Sequence, residues 1–245
     1  SSHTARDAWC CYTRSIYFAR QCRILPCVML AAFVAAALLR FSAAKRALLT
    51  IDMTVEEFTS KDIIFRHNET LAVVDRLMQN ETHSFDFIYH ALITCYEPRS
   101  VQSYTCAMWP VGVPGSEGMQ PITQLRYPWV TKTYKRDASA FKPAPGHSSL
   151  HDLLQAAHVD TLYVVGINTD YCVEATVFDA LDLGYSVFPV QDAVTTVNGE
   201  AGHRNGLIAM QTSFAWHASP SRIVNSTEIG YVEQEAKSLV GNIFT

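Results

Sequence analysis

Leu162-Tyr163-Val164-Val165 leads into Gly166-Ile167-Asn168-Thr169-Asp170-Tyr171-Cys172-Val173, and Glu174 to Leu183 follows with apolar residues at helical spacing. A short, unbroken apolar run reads as a strand covered on both faces, the habit of a parallel sheet. The segment is therefore strand, tight turn, helix, with Cys172 at the turn. There the positive end of a helix dipole is expected to lower the thiol pKa and make a thiolate available near neutral pH. A buried structural cysteine is the plain alternative. The company Cys172 keeps favours chemistry.

Working outward, strands and helices alternate. Ala47 to Ile51 is a short strand ending at Asp52-Met53, Leu71 to Met78 a helix and Phe85 to Thr94 a second strand. Pro98 to Gly118 reads as loop, Trp129 to Thr133 as a third strand and His147 to Ala157 as a helix. After the Cys172 turn, Val173 to Leu183 is helical, Ser186 to Val190 a fifth strand, Gly199 to Ala215 a helix and Ser221 to Val224 a last short strand. This alternation predicts a three-layer α/β/α domain with a mostly parallel central sheet. Such sheets bind ligands at the carboxyl ends of their strands. Asp52 follows the first strand, Lys132 ends the third and Cys172 follows the fourth, so one rim collects a carboxylate, an ammonium and a thiol. Singly, Asp52 could be a helix cap and Lys132 a solvated strand end. Together they suggest a cysteine hydrolase.

The 245 residues suffice for one such domain, assigned to 46–245, plus a leader at 1–45. A net charge of −4, without long charge runs, gives no footprint for nucleic acid and points to a small-molecule partner. Within the leader, Arg14, Arg20 and Arg23 precede the uncharged run Ile24 to Leu39, and Arg40, Lys45 and Arg46 follow it. That pattern suggests a signal peptide or short signal anchor, hence a secreted or lumenal protein whose only membrane attachment would be this anchor. The alternative is a buried N-terminal helix. Asn68, Asn80 and Asn225 each open an Asn-x-Thr/Ser triplet and are candidate glycosylation sites. Of seven cysteines, Cys10, Cys11, Cys22 and Cys27 lie in or before the apolar run. In an oxidising compartment Cys95 and Cys106 would pair as a disulfide and leave Cys172 free.

The chain resembles the isochorismatase-like cysteine hydrolases, and among them the nicotinamidases, over roughly Ala47 to Ile229. The strongest part runs from Val165 to Asp192 and contains GINTDYCVEATVFDALDLGYSVFPVQD. Leu48-Leu49-Thr50-Ile51-Asp52-Met53 is similar to the family's first strand with its catalytic aspartate. Asp137-Ala138-Ser139-Ala140-Phe141 is similar to the segment after the catalytic lysine, and Trp109-Pro110 with Pro114 to Gly118 to a loop beside the substrate pocket. The resemblance implies that Cys172 attacks an amide carbonyl, that Asp52 moves its proton, and that Lys132 stabilises the thiolate and orients Asp52. Lys135 is a second candidate for the lysine; Lys132 is preferred because Trp129-Val130-Thr131 reads as the strand leading into it. Backbone N–H groups of Asn168 and Cys172 would form the oxyanion hole, and a cis peptide is implied between Ile167 and Asn168. Phe58, Trp109 and Phe141 would sandwich a flat substrate ring, ordinary packing being the alternative. A homo-oligomer is possible on the same grounds.

The departures bear on cofactors. Nicotinamidases hold a divalent metal through an Asp-x-His pair and a further histidine; here those positions fall on Cys95, Glu97 and Gly112, a neighbouring histidine falls on Val101, and a tyrosine falls on Ala138. No cofactor or metal is therefore expected. His147 and His151, four apart but without a third ligand, read as ordinary helix histidines. The expected function is hydrolysis of a small amide through a Cys172 thioester. Alternatives are a catalytically silent member binding an aromatic ligand or a partner protein, and a metal-free isochorismatase-type hydrolase.

Overall fold

The computed structural model describes residues 45–59, 63–81, 84–94, 112–217 and 219–229. The leader, the Cys95–Cys106 pair, Glu97, Val101 and Trp109 lie outside the described residues. The strands are β1 (Lys45–Ile51), β2 (Phe87–Ile93), β3 (Thr131–Lys135), β4 (Val159–Ile167) and β5 (Ser186–Thr195). The helices are α1 (Val55–Phe58), α2 (His67–Gln79), α3 (Leu150–Ala156), α4 (Glu174–Asp182) and α5 (Gly199–Phe214).

Period-two alternation splits β1 between two cores. Ala47, Leu49 and Ile51 face one side, joining Leu154 of α3, Val177 and Ala180 of α4 and Met210 of α5. Leu48 faces the other, joining Val74 and Met78 of α2 with Tyr163 and Phe188. Beyond the single-turn α1, each helix buries residues three or four apart and turns its polar face to water, as amphipathic helices over a sheet must. The result is a five-stranded sheet, all parallel, in the order β3-β2-β1-β4-β5. The expected three-layer architecture is present. The chain moves from β1 outward through β2 to β3 and then returns to β4 on β1's other side. The crevice at the carboxyl ends of β1 and β4 is thus the switch point where such sheets receive ligands.

One residue is demanded there by close approach. Gly166, with φ +118°, lies beside the end of β1, and a Cβ on it would stand 2.2 Å from the carbonyl oxygen of Ile51. Any side chain would force β4 away from β1 just below the site.

The strand boundaries differ from the sequence expectation in one place that matters. β3 starts at Thr131, not Trp129, and runs on to Lys135. Trp129 is largely exposed, stacks on Tyr127 and donates its ring N–H to the carbonyl of Met78, so its hydrophobicity serves a turn. The last expected strand, Ser221 to Val224, reduces to one parallel bridge between Val224 and Val190. The helix expected from His147 begins only at Leu150, so His147 and His151 do not share a helix face. His147 packs on Tyr134, whereas His151 bonds the Tyr185 hydroxyl at 2.9 Å.

Candidate active site

Asp52 terminates β1 with a left-handed backbone, φ 50°, which turns the chain sharply as the strand ends. Its carboxylate is buried and tied on both oxygens: Oδ1 accepts from the N–H of Ile93 at 2.8 Å, and Oδ2 pairs with Lys135 Nζ at 2.8 Å. Lys135 ends β3, fully buried, and its ammonium also donates to the carbonyls of Asp137 and Ala138, both at 2.9 Å. Three acceptors thus meet the three N–H groups of one buried cation.

Lys132 plays no part in this. Three residues earlier on the strand, it emerges on the opposite face and donates to Gln120 Oε1 at 2.8 Å, exposed. The lysine facing Asp52 is therefore Lys135, correcting the preference for Lys132. The physical reason is that β3 ends two residues later than expected, at Lys135, so the carboxyl end carries Lys135, while alternation turns Thr133 and Lys135 inward and Lys132 outward.

Cys172 is brought to the same place from β4. The peptide between Ile167 and Asn168 is cis, and Thr169–Val173 forms a π turn before α4. The carbonyl of Asn168 accepts from the N–H groups of Tyr171 and Val173, drawing the turn tight. Cys172 is buried, and its thiol lies within electrostatic reach of the Asp52 carboxylate and the Lys135 ammonium. Burial, chiefly, pushes that thiol up to about 12; Lys135 opposes the rise, while the charges of Asp52 and Glu57 add to it. Against the expectation of a depressed pKa, burial and the charges of Asp52 and Glu57 favour the thiol over the thiolate here. Burial likewise raises the Asp52 carboxyl above its ordinary range against the pull of Lys135, and so strengthens it as a base. Burial works to lower Lys135, but Asp52 and the thiol outweigh it and keep the ammonium charged.

Two residues that sequence reasoning passed over complete the surroundings. Thr176, one turn beyond the nucleophile, donates its hydroxyl to the carbonyl of Cys172 at 2.7 Å and accepts from the N–H of Ala140 at 3.0 Å. It couples the Cys172 turn to the Asp137–Phe141 segment that holds Lys135. Glu57, on α1, interacts electrostatically with Asp52, Lys135 and Cys172, and its carboxyl is raised to about 7, first by burial and then by the charge of Asp52. In the sequence Glu56 and Glu57 read as ordinary acids in the first turn of a helix, and nothing singled Glu57 out.

The aromatic residues named as substrate contacts fare differently. Phe58 is only 2% exposed and stacks on His67 at 4.4 Å, a core role in place of ring binding. Phe141 belongs to the same buried cluster as Cys172 and stacks on Tyr185 at 5.8 Å. Gly112, on which the resemblance places a metal-binding histidine, donates its N–H to Glu56 Oε2 at 2.6 Å. It has φ +73°, and a Cβ there would stand 2.3 Å from the Ile93 carbonyl, so this position has no room for a ligand side chain. Among the described residues no three histidines, cysteines or carboxylates gather as a metal site.

A family model, the isochorismatase domain, matches residues 46–220. The chain belongs to the isochorismatase family. Within it, the nicotinamidase of Escherichia coli is 49% identical over 51 residues, 21% of this chain and 24% of that protein. The nicotinamidase of Saccharomyces cerevisiae is 29% identical over 106 residues, 38% of this chain and 49% of that protein. The aligned stretches thus span a quarter to a half of these relatives. A crystal structure of a pyrazinamidase/nicotinamidase from Streptococcus mutans superposes with a TM-score of 0.60 at 23% identity, covering 74% of this chain and all of that one. That likeness shows the fold.

Membership of this family corrects the reading of the chain as a secreted glycoprotein with a signal peptide. The curated relatives matched are nicotinamidases and a ureidoacrylate amidohydrolase, and no helix among the described residues is long and apolar enough to cross a membrane. The three asparagines have local duties instead. Asn80 ends α2 in a left-handed conformation and bridges to the backbone of Phe85 through both its amide atoms. Asn225 forms a capping box with Glu228, and the Asn68 side chain meets His67 Nδ1 at the start of α2. Asparagine is the residue such turns and caps favour, which explains the triplets without a glycan.

Proposed function

We propose that this chain is a cysteine amidohydrolase of nicotinamidase type, cleaving the C–N bond of a small amide through a thioester on Cys172. The observation that carries the reading is the meeting of a Cys172 thiol with an Asp52 carboxylate whose other partner, at 2.8 Å, is the buried ammonium of Lys135.

The steps follow from the charges. Cys172 Sγ attacks the amide carbon as its proton passes to Asp52, and the carbonyl π electrons move onto oxygen. The N–H groups of Asn168 and Cys172 receive that oxyanion. Collapse of the adduct breaks the C–N bond, and the leaving nitrogen takes the proton from Asp52 as ammonia or amine. Water then adds to the thioester, giving its proton to Asp52; the C–S bond breaks, Cys172 regains a proton and the acid departs. Lys135 keeps Asp52 oriented and offsets negative charge on sulfur throughout. No step uses a metal.

Ammonia release from a panel of small amides, lost on Cys172→Ala and accompanied by a thioester mass adduct in quenched wild-type enzyme, is the expected result. A panel without turnover, together with a Cys172 inert to alkylation, would remove the proposal.

A further inference from the structure

Ile167 and Thr195 are the last paired residues of β4 and β5. Beyond them the turn that carries Cys172 is fastened to the β5–α5 junction by side chains, chiefly that of Asp170. Its Oδ1 accepts from the Thr196 hydroxyl at 2.6 Å, and its Oδ2 accepts from the Asn198 side-chain amide at 2.8 Å. Thr196 is fully buried, and its hydroxyl accepts in turn from the Asn198 N–H at 3.1 Å. Two further bonds cross the same gap. Asn168 Oδ1 accepts from the Val197 N–H, and the Thr169 hydroxyl meets His203 Nδ1, both at 3.0 Å.

The helix after the junction comes as near as atoms allow. A Cβ on Gly202 would stand 2.6 Å from Asp170 Oδ2. One on Gly206 would stand 2.7 Å from the Thr169 carbonyl oxygen and 2.8 Å from the backbone of Asp170. α5 therefore lies directly on the turn at these two positions. Both oxygens of Asp170 are engaged in the junction, so what this carboxylate fixes is the backbone of the turn itself.

We propose that Asp170 is the positioning residue of the nucleophile turn, holding the Asn168 and Cys172 N–H groups where the oxyanion of the amide reaction forms. Those two residues stand two positions before it and two after. Oxyanion donors act only where they are accurately set, and a misplacement of about 1 Å costs about a hundredfold in rate. An ionised carboxylate accepts on both oxygens and so spans Thr196 and Asn198 together. An amide at the same position accepts on one atom only and sets its own NH₂ against that of Asn198. The inference rests on the amidase reading for the reaction, and part of its test is read without turnover, so the two can fail separately.

The test compares the full wild-type chain with Asp170→Ala, Asp170→Asn, Asn198→Asp and the exchange Asp170→Asn/Asn198→Asp. Pyridine-3-carboxamide reads turnover, and pyridine-3-carbaldehyde reads the hole alone. Cys172 Sγ adds reversibly to the aldehyde carbon, the thiol proton passing to Asp52, and the tetrahedral oxygen lies where the oxyanion would. Asp170→Ala is expected to lower kcat by about a hundredfold with KM within about threefold, and to weaken aldehyde binding by about tenfold or more. Each single exchange should lose rate. The double exchange again sets one carboxylate against one amide and should recover to within about tenfold of wild type, which carries the test if Asp170→Ala does not fold. Intact kcat in Asp170→Ala, a double exchange no better than the singles, or no aldehyde binding by the wild type overturns the inference. A wild-type chain that binds the aldehyde in an Asp170-dependent way yet releases no ammonia overturns the amidase reading and leaves this one standing.

Discussion

Lys135 Nζ lies 2.8 Å from Asp52 Oδ2 with both groups almost wholly shut off from water, while Lys132, on the outer face of the same strand, reaches only Gln120. Two lysines of one five-residue strand thus have opposite fates, and substitution separates them. Lys135→Met leaves a buried carboxylate unpaired, a loss of about 3–5 kcal/mol. Ammonia release should fall by at least about a thousandfold. Lys132→Met should stay within about twofold of wild type in rate and within about 0.5 kcal/mol in stability. Equal damage from the two would contradict the assignment of the lysine.

The state of the thiol gives a second expectation. With its titration raised to about 12, roughly one Cys172 in 10⁵ is ionised at pH 7. Alkylation by iodoacetamide should accordingly be slow at pH 7 and climb steadily as pH rises towards 12. The Asp52 charge contributes to that upward shift, so Asp52→Asn should move the profile to lower pH even as it cuts turnover by about a hundredfold or more. A profile centred near pH 6 in the wild type would mean that the helix dipole had prevailed after all.

Thr176 supplies the third. Thr176→Val keeps the shape of the side chain but leaves the buried N–H of Ala140 without its acceptor and removes the donor to the Cys172 carbonyl. A loss of about 1–3 kcal/mol in urea unfolding is expected. A drop in kcat of about tenfold should accompany it, as the nucleophile turn loosens from the Lys135 segment. Thr176→Ser, which retains the hydroxyl, should restore most of both.

These positions show what the sequence could and could not convey. β1, β4 and β5 were legible because doubly covered parallel strands are continuous apolar runs, and β4 with its turn placed Cys172 correctly. β3 was not. Its sequence Thr-Lys-Thr-Tyr-Lys is polar, half of it faces water, and the apolar Trp129-Val130 beside it drew the strand two residues early. A displacement of two residues keeps every side chain on its face but moves the carboxyl end of the strand from Thr133 to Lys135, and with it the choice between Lys132 and Lys135. Thr176 and Glu57 were invisible for another reason: their roles arise from segments that meet only in three dimensions. Phe58 misled because an aromatic beside a catalytic strand satisfies core packing as readily as ring binding.

Glu57 carries the last expectation, independent of any substrate. Its carboxyl titrates near 7 in the folded chain, against 4.5 in an exposed one, through burial first and the charge of Asp52 second; Glu56 adds to the rise and Lys135 opposes it. Between those two values the folded protein binds more protons than the unfolded chain, so stability falls as pH rises from about 4.5 to about 7 and levels off above. Glu57→Gln removes this cost. The variant should therefore match wild type near pH 4.5 and exceed it at pH 8 by about 1–3 kcal/mol, a gain of several degrees in Tm for a domain of this size. A pH scan of thermal unfolding for both proteins reads the difference directly. Should the two Tm curves run parallel from pH 5 to pH 8, the Glu57 carboxylate is solvated in the folded chain and its raised titration loses its ground.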